Sequence, residues 1–267
     1  MIAPVVGADW VRAHPEAVLA DVRWALDRGA LRDDYAEGHL PGAVFVDLDT
    51  DLSAPASPHA GRHPMPEPEA FASAMGALGI GDGDVVVAYD EVGGINAARM
   101  VWMLRALGRD AALLDGGIAA WDGPTETGPA TRAPATFTPA PWPAELLASP
   151  DDAAAPANVT IDGRQRERFD GAPNPADPRP GHIPGARSLS VRDNVGPDGR
   201  LLDRATLRDR FASVGIDEHS DVVSYCGSGV TACHNLLLLE HVGLGRGRLY
   251  PGSWSQWAAD PDRPVET

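Results

Sequence analysis

"GHLPGA" at residues 38–43 returns almost unchanged as "GHIPGA" at 181–186, and this pair decides how the 267-residue chain is organised. Outward from it, "ADVRW" (20–24) matches "IDGRQ" (161–165), and "LGIGDGDVVVAYD" (78–90) matches "VGIDEHSDVVSYC" (214–226). "LLDGGIAAW" (113–121) matches "RLYPGSWSQW" (248–257), one residue longer. The offset drifts from about 143 to 136 residues, as small loop changes within a tandem duplication would produce. Between the copies, "GPTETGPATRAPATFTPAPWP" (123–143) is rich in Pro, Thr and Ala and reads as an extended linker. The expected division is a first domain over 1–122, a linker over 123–143 and a second domain over 144–267.

Within each copy, short apolar runs such as "AVLADV", "DVVVAY" and "AALLD" have the character of buried parallel strands. They alternate with helical stretches such as "PEAFASAMGALG", "INAARMVWMLRALG" and "DRATLRDRFASVG". That alternation predicts an α/β fold: two domains, each a mostly parallel sheet flanked by helices. In such sheets ligands sit beyond the C-terminal ends of the strands.

Composition narrows the partners. A net charge of −16 argues against nucleic acid, which requires a basic face. No apolar run approaches the ~20 residues of a membrane span. The N-terminus lacks a basic region followed by an apolar core, and two cysteines seven apart make no disulfide framework, so a reducing cytoplasm is expected. All 22 basic residues are arginine, which excludes Schiff-base lysine chemistry and the lysine of a phosphate-binding P-loop. No cluster has metal-ligand spacing, and nothing calls for a cofactor.

Both cysteines lie in "VVSYCGSGVTACH" (222–234). "DVVSY" is strand-like, "TACHNLLLLEHVG" is helix-like, and Cys226 falls on the Gly-Ser-Gly turn between them. A thiol there meets the positive end of the helix and several unpaired N–H groups, both of which favour the thiolate. Gly227 and Gly229 let the backbone curl so that consecutive N–H groups converge on one anion. Four readings compete: a buried structural cysteine, a Cys-dependent phosphatase, a papain-like protease, and sulfur transfer through a persulfide. The phosphatase needs arginine at 232, where alanine stands. The protease needs partners more than a hundred residues downstream, and only 41 residues follow Cys226.

Through its duplicated "D-x-R … G-H-[LI]-P-G-A" units, its "LLDGGIAAW" and "YPGSWSQW" ends and its six-residue loop, the chain resembles the tandem rhodanese-like sulfurtransferases over nearly its whole length. The resemblance implies one catalytic copy, the second, because the first has Asp90 where the second has Cys226. "CGSGVT" (226–231) is similar to the 3-mercaptopyruvate sulfurtransferase branch, whereas the thiosulfate branch typically has C-R-K-G-V-T. The implied partners are a small anionic sulfur donor and a thiol acceptor such as thioredoxin, or cyanide, with the protein a monomer or weak dimer. A thiosulfate donor is the alternative within the class. A rhodanese-like module that only binds a partner is the alternative outside it.

The resemblance also implies site residues. Cys226 is the nucleophile, Ser228 its neighbour, and His63 and Asp49 the base and carboxylate that work with Ser228; His59 rivals His63. The donor's carboxylate falls to Arg168 and Arg179, from "ERFDGAPNPADPRPGHIPG", together with the loop residues Gly227, Gly229, Val230 and Thr231. Thr231 is expected to cap the following helix or to bond within the loop, and Cys233 to lie in the core. His39 and His182, present in both copies, are expected to stabilise turns.

Overall fold

The computed structural model describes residues 1–267. The chain forms two compact units: unit 1 is Met1–Ala54, Met65–Trp142 and Val195–Leu201, and unit 2 is Pro55–Pro64, Pro143–Asn194 and Leu202–Thr267. Two short stretches therefore depart from sequence order, 55–64 going to unit 2 and 195–201 to unit 1.

Unit 1 contains β1 (Val5–Val6), β2 (Val18–Asp21), β3 (Trp24–Ala25), β4 (Gly29–Ala30), β5 (Val44–Phe45), β6 (Val86–Tyr89) and β7 (Ala111–Leu114). Five of these form one sheet in the order β1-β7-β6-β2-β5, every pair parallel, while β3 and β4 make a separate antiparallel hairpin. Its helices are α1 (Ala8–Ala13), α2 (Arg32–Glu37), α3 (Pro68–Ala77) and α4 (Ala98–Ala106). Unit 2 contains α5 (Pro150–Ala154), α6 (Arg166–Phe169), α7 (Arg204–Ser213), α8 (Ala232–Val242) and α9 (Ser253–Trp257). Its strands β8 (Val159–Asp162), β9 (Arg187–Ser188), β10 (Val222–Tyr225) and β11 (Arg248–Leu249) form a parallel sheet in the order β11-β10-β8-β9. The α/β class and the two parallel sheets are as the sequence predicts. All four residues of β6 and of β10 are buried, so the continuous apolar runs become central strands.

The duplicated motifs are structural staples, repeated because each copy must fasten the same turn. Arg23 pairs with Asp21 through both carboxylate oxygens and donates to the Gly38 carbonyl at 2.7 Å. Arg164 does the same with Asp162 and the Gly181 carbonyl, also at 2.7 Å. The hydroxyl of Tyr89, at the end of β6, accepts the Leu40 N–H at 3.1 Å; that of Tyr225, at the end of β10, accepts the Ile183 N–H at 3.2 Å. His39 stacks on Tyr35, and His182 stacks on Phe169; the Nδ1 of each bonds the carbonyl of the residue it stacks on. Each "GH" turn thus joins the carboxyl ends of the central strands, beside the residue that follows, Asp90 or Cys226.

The copies extend further than the motif pairs suggest. Glu126, in "PTET", pairs its backbone with His39 and accepts the Gly42 N–H; Glu266, in "PVET", does the same with His182 and Gly185. From Gly128 to Trp142 the chain has neither helix nor strand, yet it is fixed along unit 1. Ala135 donates to the Gly76 carbonyl at 2.9 Å, Thr136 accepts from Asp82 at 3.0 Å, and the buried Phe137 meets Phe71 edge-on.

Candidate active site

Cys226 follows β10 directly and is 2% exposed. Gly229 has φ +82°, the left-handed turn that only glycine adopts freely, and a side chain there would fall on the Pro251 carbonyl. That turn brings the Gly229 N–H to the Cys226 Sγ at 3.2 Å. α9 holds the loop from the other side. Ser253 Oγ accepts the Cys226 N–H at 3.1 Å, and the N–H groups of Trp254 and Ser255 reach the carbonyls of Cys226 and Gly227, each at 3.0 Å. Ser253 is the one non-glycine residue with positive φ, +50°.

The corresponding loop of unit 1, two residues longer before its helix, holds an anion. Asp90 is fully buried, and its carboxylate accepts four backbone N–H bonds, from Val92, Gly94, Asn96 and Ala97, at 2.8–3.0 Å. Burial pushes its carboxyl up, and those four bonds pull the other way. The loop shape is an anion cradle, and in unit 1 the chain's own carboxylate fills it.

Ser228 and His63 come together in unit 2, with His63 Nδ1 and Ser228 Oγ at 2.8 Å and both side chains buried. The His63 segment is anchored on α9, where the Arg62 N–H bonds Ser255 Oγ at 3.0 Å and Gln256 bonds the His59 carbonyl. His59 is therefore a backbone contact, and His63 is the imidazole at the loop. Asp49 belongs to unit 1, where its carboxylate accepts the Trp24 indole N–H at 2.9 Å.

The arginines divide differently from the expectation. Arg168, at the end of α6, binds Asp177 through both carboxylate oxygens at 2.6–3.0 Å. Arg179 is placed elsewhere: its guanidinium donates to the carbonyls of Trp257, Ala258, Asp260 and Arg263. These four carbonyls lie at and beyond the C-terminal end of α9, and Arg179 closes that end. The second cation at the loop is Arg62. A methyl group built on Gly227 would lie 2.8 Å from Arg62 Nη2 and 3.3 Å from Arg168 Nη2, so both guanidiniums cover that glycine. Arg62 Nη1 also bonds the Ala176 carbonyl and lies 3.6 Å from Asp177 Oδ1. Arg164 completes the cluster, 3.7 Å from Asp177 Oδ2. Burial works against its charge, but Asp162 more than offsets that and keeps it protonated.

Thr231 does not cap α8. Its backbone is already helical, φ −71° and ψ −18°, and its hydroxyl makes no capping bond. Val230 is buried, and Cys233, also buried, donates its thiol to the Gly229 carbonyl at 3.4 Å, supporting the turn from below. Sequence reasoning missed Arg62, Asp177 and Ser253. Arg62 carried a faint signal, standing beside His63 in "GRHP"; Ser253 carried another, replacing the Gly117 of the first copy.

Known proteins are similar to this chain along nearly its whole length. The rhodanese-like domain model matches residues 8–123 and 143–260. A Pseudomonas aeruginosa protein named "Probable 3-mercaptopyruvate sulfurtransferase" is 42% identical over 275 residues, covering 96% of this chain and 94% of its own. The Arabidopsis thaliana mitochondrial thiosulfate/3-mercaptopyruvate sulfurtransferase 1 is 33% identical, covering 99% of this chain and 78% of its own. The structure of 3-mercaptopyruvate sulfurtransferase from Leishmania major superposes with a TM-score of 0.86 at 33% identity, covering 97% of this chain and 75% of that one. With two parallel sheets fastened by the same staples and both halves matched, the chain belongs to the rhodanese-like family as a tandem of two such domains.

Proposed function

We propose that this chain is a sulfurtransferase that carries sulfane sulfur as a persulfide on Cys226. One observation supports this reading above the rest: the Asp90 carboxylate in the cradle of unit 1. Its charged oxygens are the third atoms out from Cα. In a cysteine persulfide the charged outer sulfur is also third. A loop of this kind can therefore hold Cys–S–S⁻, and in the shorter loop of unit 2 the residue at that position is Cys226, with the Gly229 N–H already on its sulfur at 3.2 Å. Unit 1 has no cysteine to carry the sulfur and is catalytically silent.

The donor is 3-mercaptopyruvate, its carboxylate held by Arg62 and Arg168. The Cys226 thiolate attacks the donor's sulfur; an S–S bond forms, the C–S bond breaks, and the electron pair passes to the methylene carbon as the enolate of pyruvate. A proton from the transferred sulfur moves to that carbon, leaving pyruvate and an anionic persulfide. Ser228 and His63, paired at 2.8 Å, are placed to hold the enolate oxygen and relay the proton. Asp49, implied by the resemblance, is tested by substitution: Asp49→Asn and His63→Ala should each slow pyruvate release severalfold. A thiol such as that of thioredoxin, or cyanide, then takes the outer sulfur and regenerates the thiolate. The free thiols this requires suit a reducing cytoplasm.

A second reading, thiosulfate as donor with sulfite leaving, is favoured by the two guanidiniums over Gly227. The test is intact-mass analysis after exposure to each donor, with Cys226→Ser as control. The expected result is one added sulfur on the wild-type chain, equimolar pyruvate from mercaptopyruvate, and neither in the variant. A chain that takes sulfur from neither donor would be a binding module instead.

A further inference from the structure

The arginine cluster has a charge count of its own. Arg164 and Asp162 form the staple that Arg23 and Asp21 form in the other copy, so that pair belongs to the scaffold and is neutral by itself. Apart from the Cys226 thiolate, which every donor meets alike, what remains at the loop is Arg62, Arg168 and Asp177: two cations and one carboxylate, +1 among themselves. Asp177 is held firmly in place, its side chain 4% exposed and its oxygens engaged by Arg168 at 2.6–3.0 Å. It also faces Arg62 at 3.6 Å and Arg164 at 3.7 Å. Any anion that enters beside Cys226 meets those guanidiniums with a buried negative charge already behind them.

Resting on the sulfurtransferase reading, we infer that Asp177 is a specificity-determining residue: it trims the donor site to a single net positive charge and so selects singly charged donors over dianions. Mercaptopyruvate, one carboxylate and a neutral thiol, matches +1. Thiosulfate brings a second negative charge into a buried site, where charge repulsion is screened far less than in water. The two arginines alone would favour the dianion; the aspartate reverses that preference. Asp177 touches no reacting atom and acts through the arginines it neutralises.

The experiment is Asp177→Asn, which keeps an oxygen for Arg168 and removes the charge. The readout is kcat/KM for thiosulfate divided by kcat/KM for mercaptopyruvate, at low and moderate ionic strength. The ratio should rise at least tenfold, mainly through a lower KM for thiosulfate, and the gain should shrink with salt. An unchanged or lowered ratio overturns the inference. Should the variant fold poorly, Arg62→Gln tests the same charge from the other side. Taking the site from +1 to neutral should penalise thiosulfate at least tenfold more than mercaptopyruvate, and equal losses again overturn it. Failure of the underlying function looks different, because wild-type Cys226 would then take sulfur from neither donor.

Discussion

Ser253 yields the sharpest prediction, because its conformation and its hydrogen bonds pull in opposite directions. At φ +50° it sits in the left-handed region, which costs a non-glycine residue about 1–2 kcal/mol. The equivalent residue of the first copy is Gly117, φ +55°, which bears no such strain. Ser253 offsets it with a hydroxyl that accepts the buried Cys226 N–H at 3.1 Å and donates to the Tyr250 carbonyl at 2.9 Å. Ser253→Ala keeps the strain and loses both bonds, leaving a buried N–H unsatisfied, for a loss of about 3 kcal/mol. Ser253→Gly loses the same bonds but relieves the strain, for about 2 kcal/mol after the extra freedom of its unfolded chain. Glycine should thus be the milder substitution by about 1 kcal/mol, the reverse of the usual order in regular structure. Both cysteines lie buried in unit 2, so pulsed thiol labelling in urea reads the unfolding of that unit alone. The alanine midpoint should fall below the glycine midpoint by about 0.5 M urea. If alanine is tolerated as well as glycine, the strain assigned to Ser253 is wrong.

Four further outcomes can be checked. Gly229→Ala, at φ +82° with the Pro251 carbonyl in the way, should cost about 3 kcal/mol or more and abolish thiol reactivity of the native loop; full activity would contradict the cradle geometry. Arg179→Ala should lower unit 2 stability by about 2 kcal/mol while changing KM for either donor less than twofold, since its guanidinium serves four carbonyls; a large rise in KM would return it to the substrate site. Cys226→Asp should unfold at higher urea than Cys226→Ala at neutral pH, because a carboxylate fills the cradle as Asp90 does; the opposite order would mean that the two loops are not equivalent. Bonds from Ser149, its hydroxyl first and then its N–H, hold the Asp152 carboxyl down at about 2. A depressed carboxylate stabilises above its ordinary value near 3.8 and loses that contribution as pH falls toward about 2, so Ser149→Ala, about 1 kcal/mol less stable at neutral pH, should narrow its gap to wild type in acid without closing it, because Ser149 Oγ also accepts the Asp152 N–H at 3.1 Å, a bond that does not titrate.

Much of this was legible because the chain states it twice. The β/α alternation and the Cys226 turn depend on neighbours in sequence, and there local pattern suffices. Arg62 shows where pattern stops. It reaches the Cys226 loop from a segment without periodicity, in the half of the chain that belongs mostly to the other unit, and no local signal says that residues 55–64 join unit 2. Arg179 shows the same limit: the motif around it gives an arginine, but not the four carbonyls its guanidinium meets. Asp177 gives no sign of its place either, because sequence reports its charge and not the three guanidiniums that surround it.

The copies agree in what holds the cradle and differ in what stands inside it. The Asp–Arg staple, the tyrosine hydroxyl, the stacked histidine and the bracketing glutamate recur in both, which is why the motifs survive in a copy without a nucleophile. Three of the divergent positions bear directly on the thiol. Asp90 becomes Cys226, opening a filled cradle to a sulfur that can leave. Glu91 becomes Gly227, and the absence of a side chain there is what lets Arg62 and Arg168 lie over the loop. Gly117 becomes Ser253, adding a hydroxyl that fixes the Cys226 N–H at the expense of a strained backbone. Restoring a thiol at position 90 alone would therefore leave that copy with a nucleophile but a carboxylate at 91, where the second copy has cations over bare backbone. The nucleophile is one change among several, and the electrostatics that draw an anionic donor to it reside in other positions.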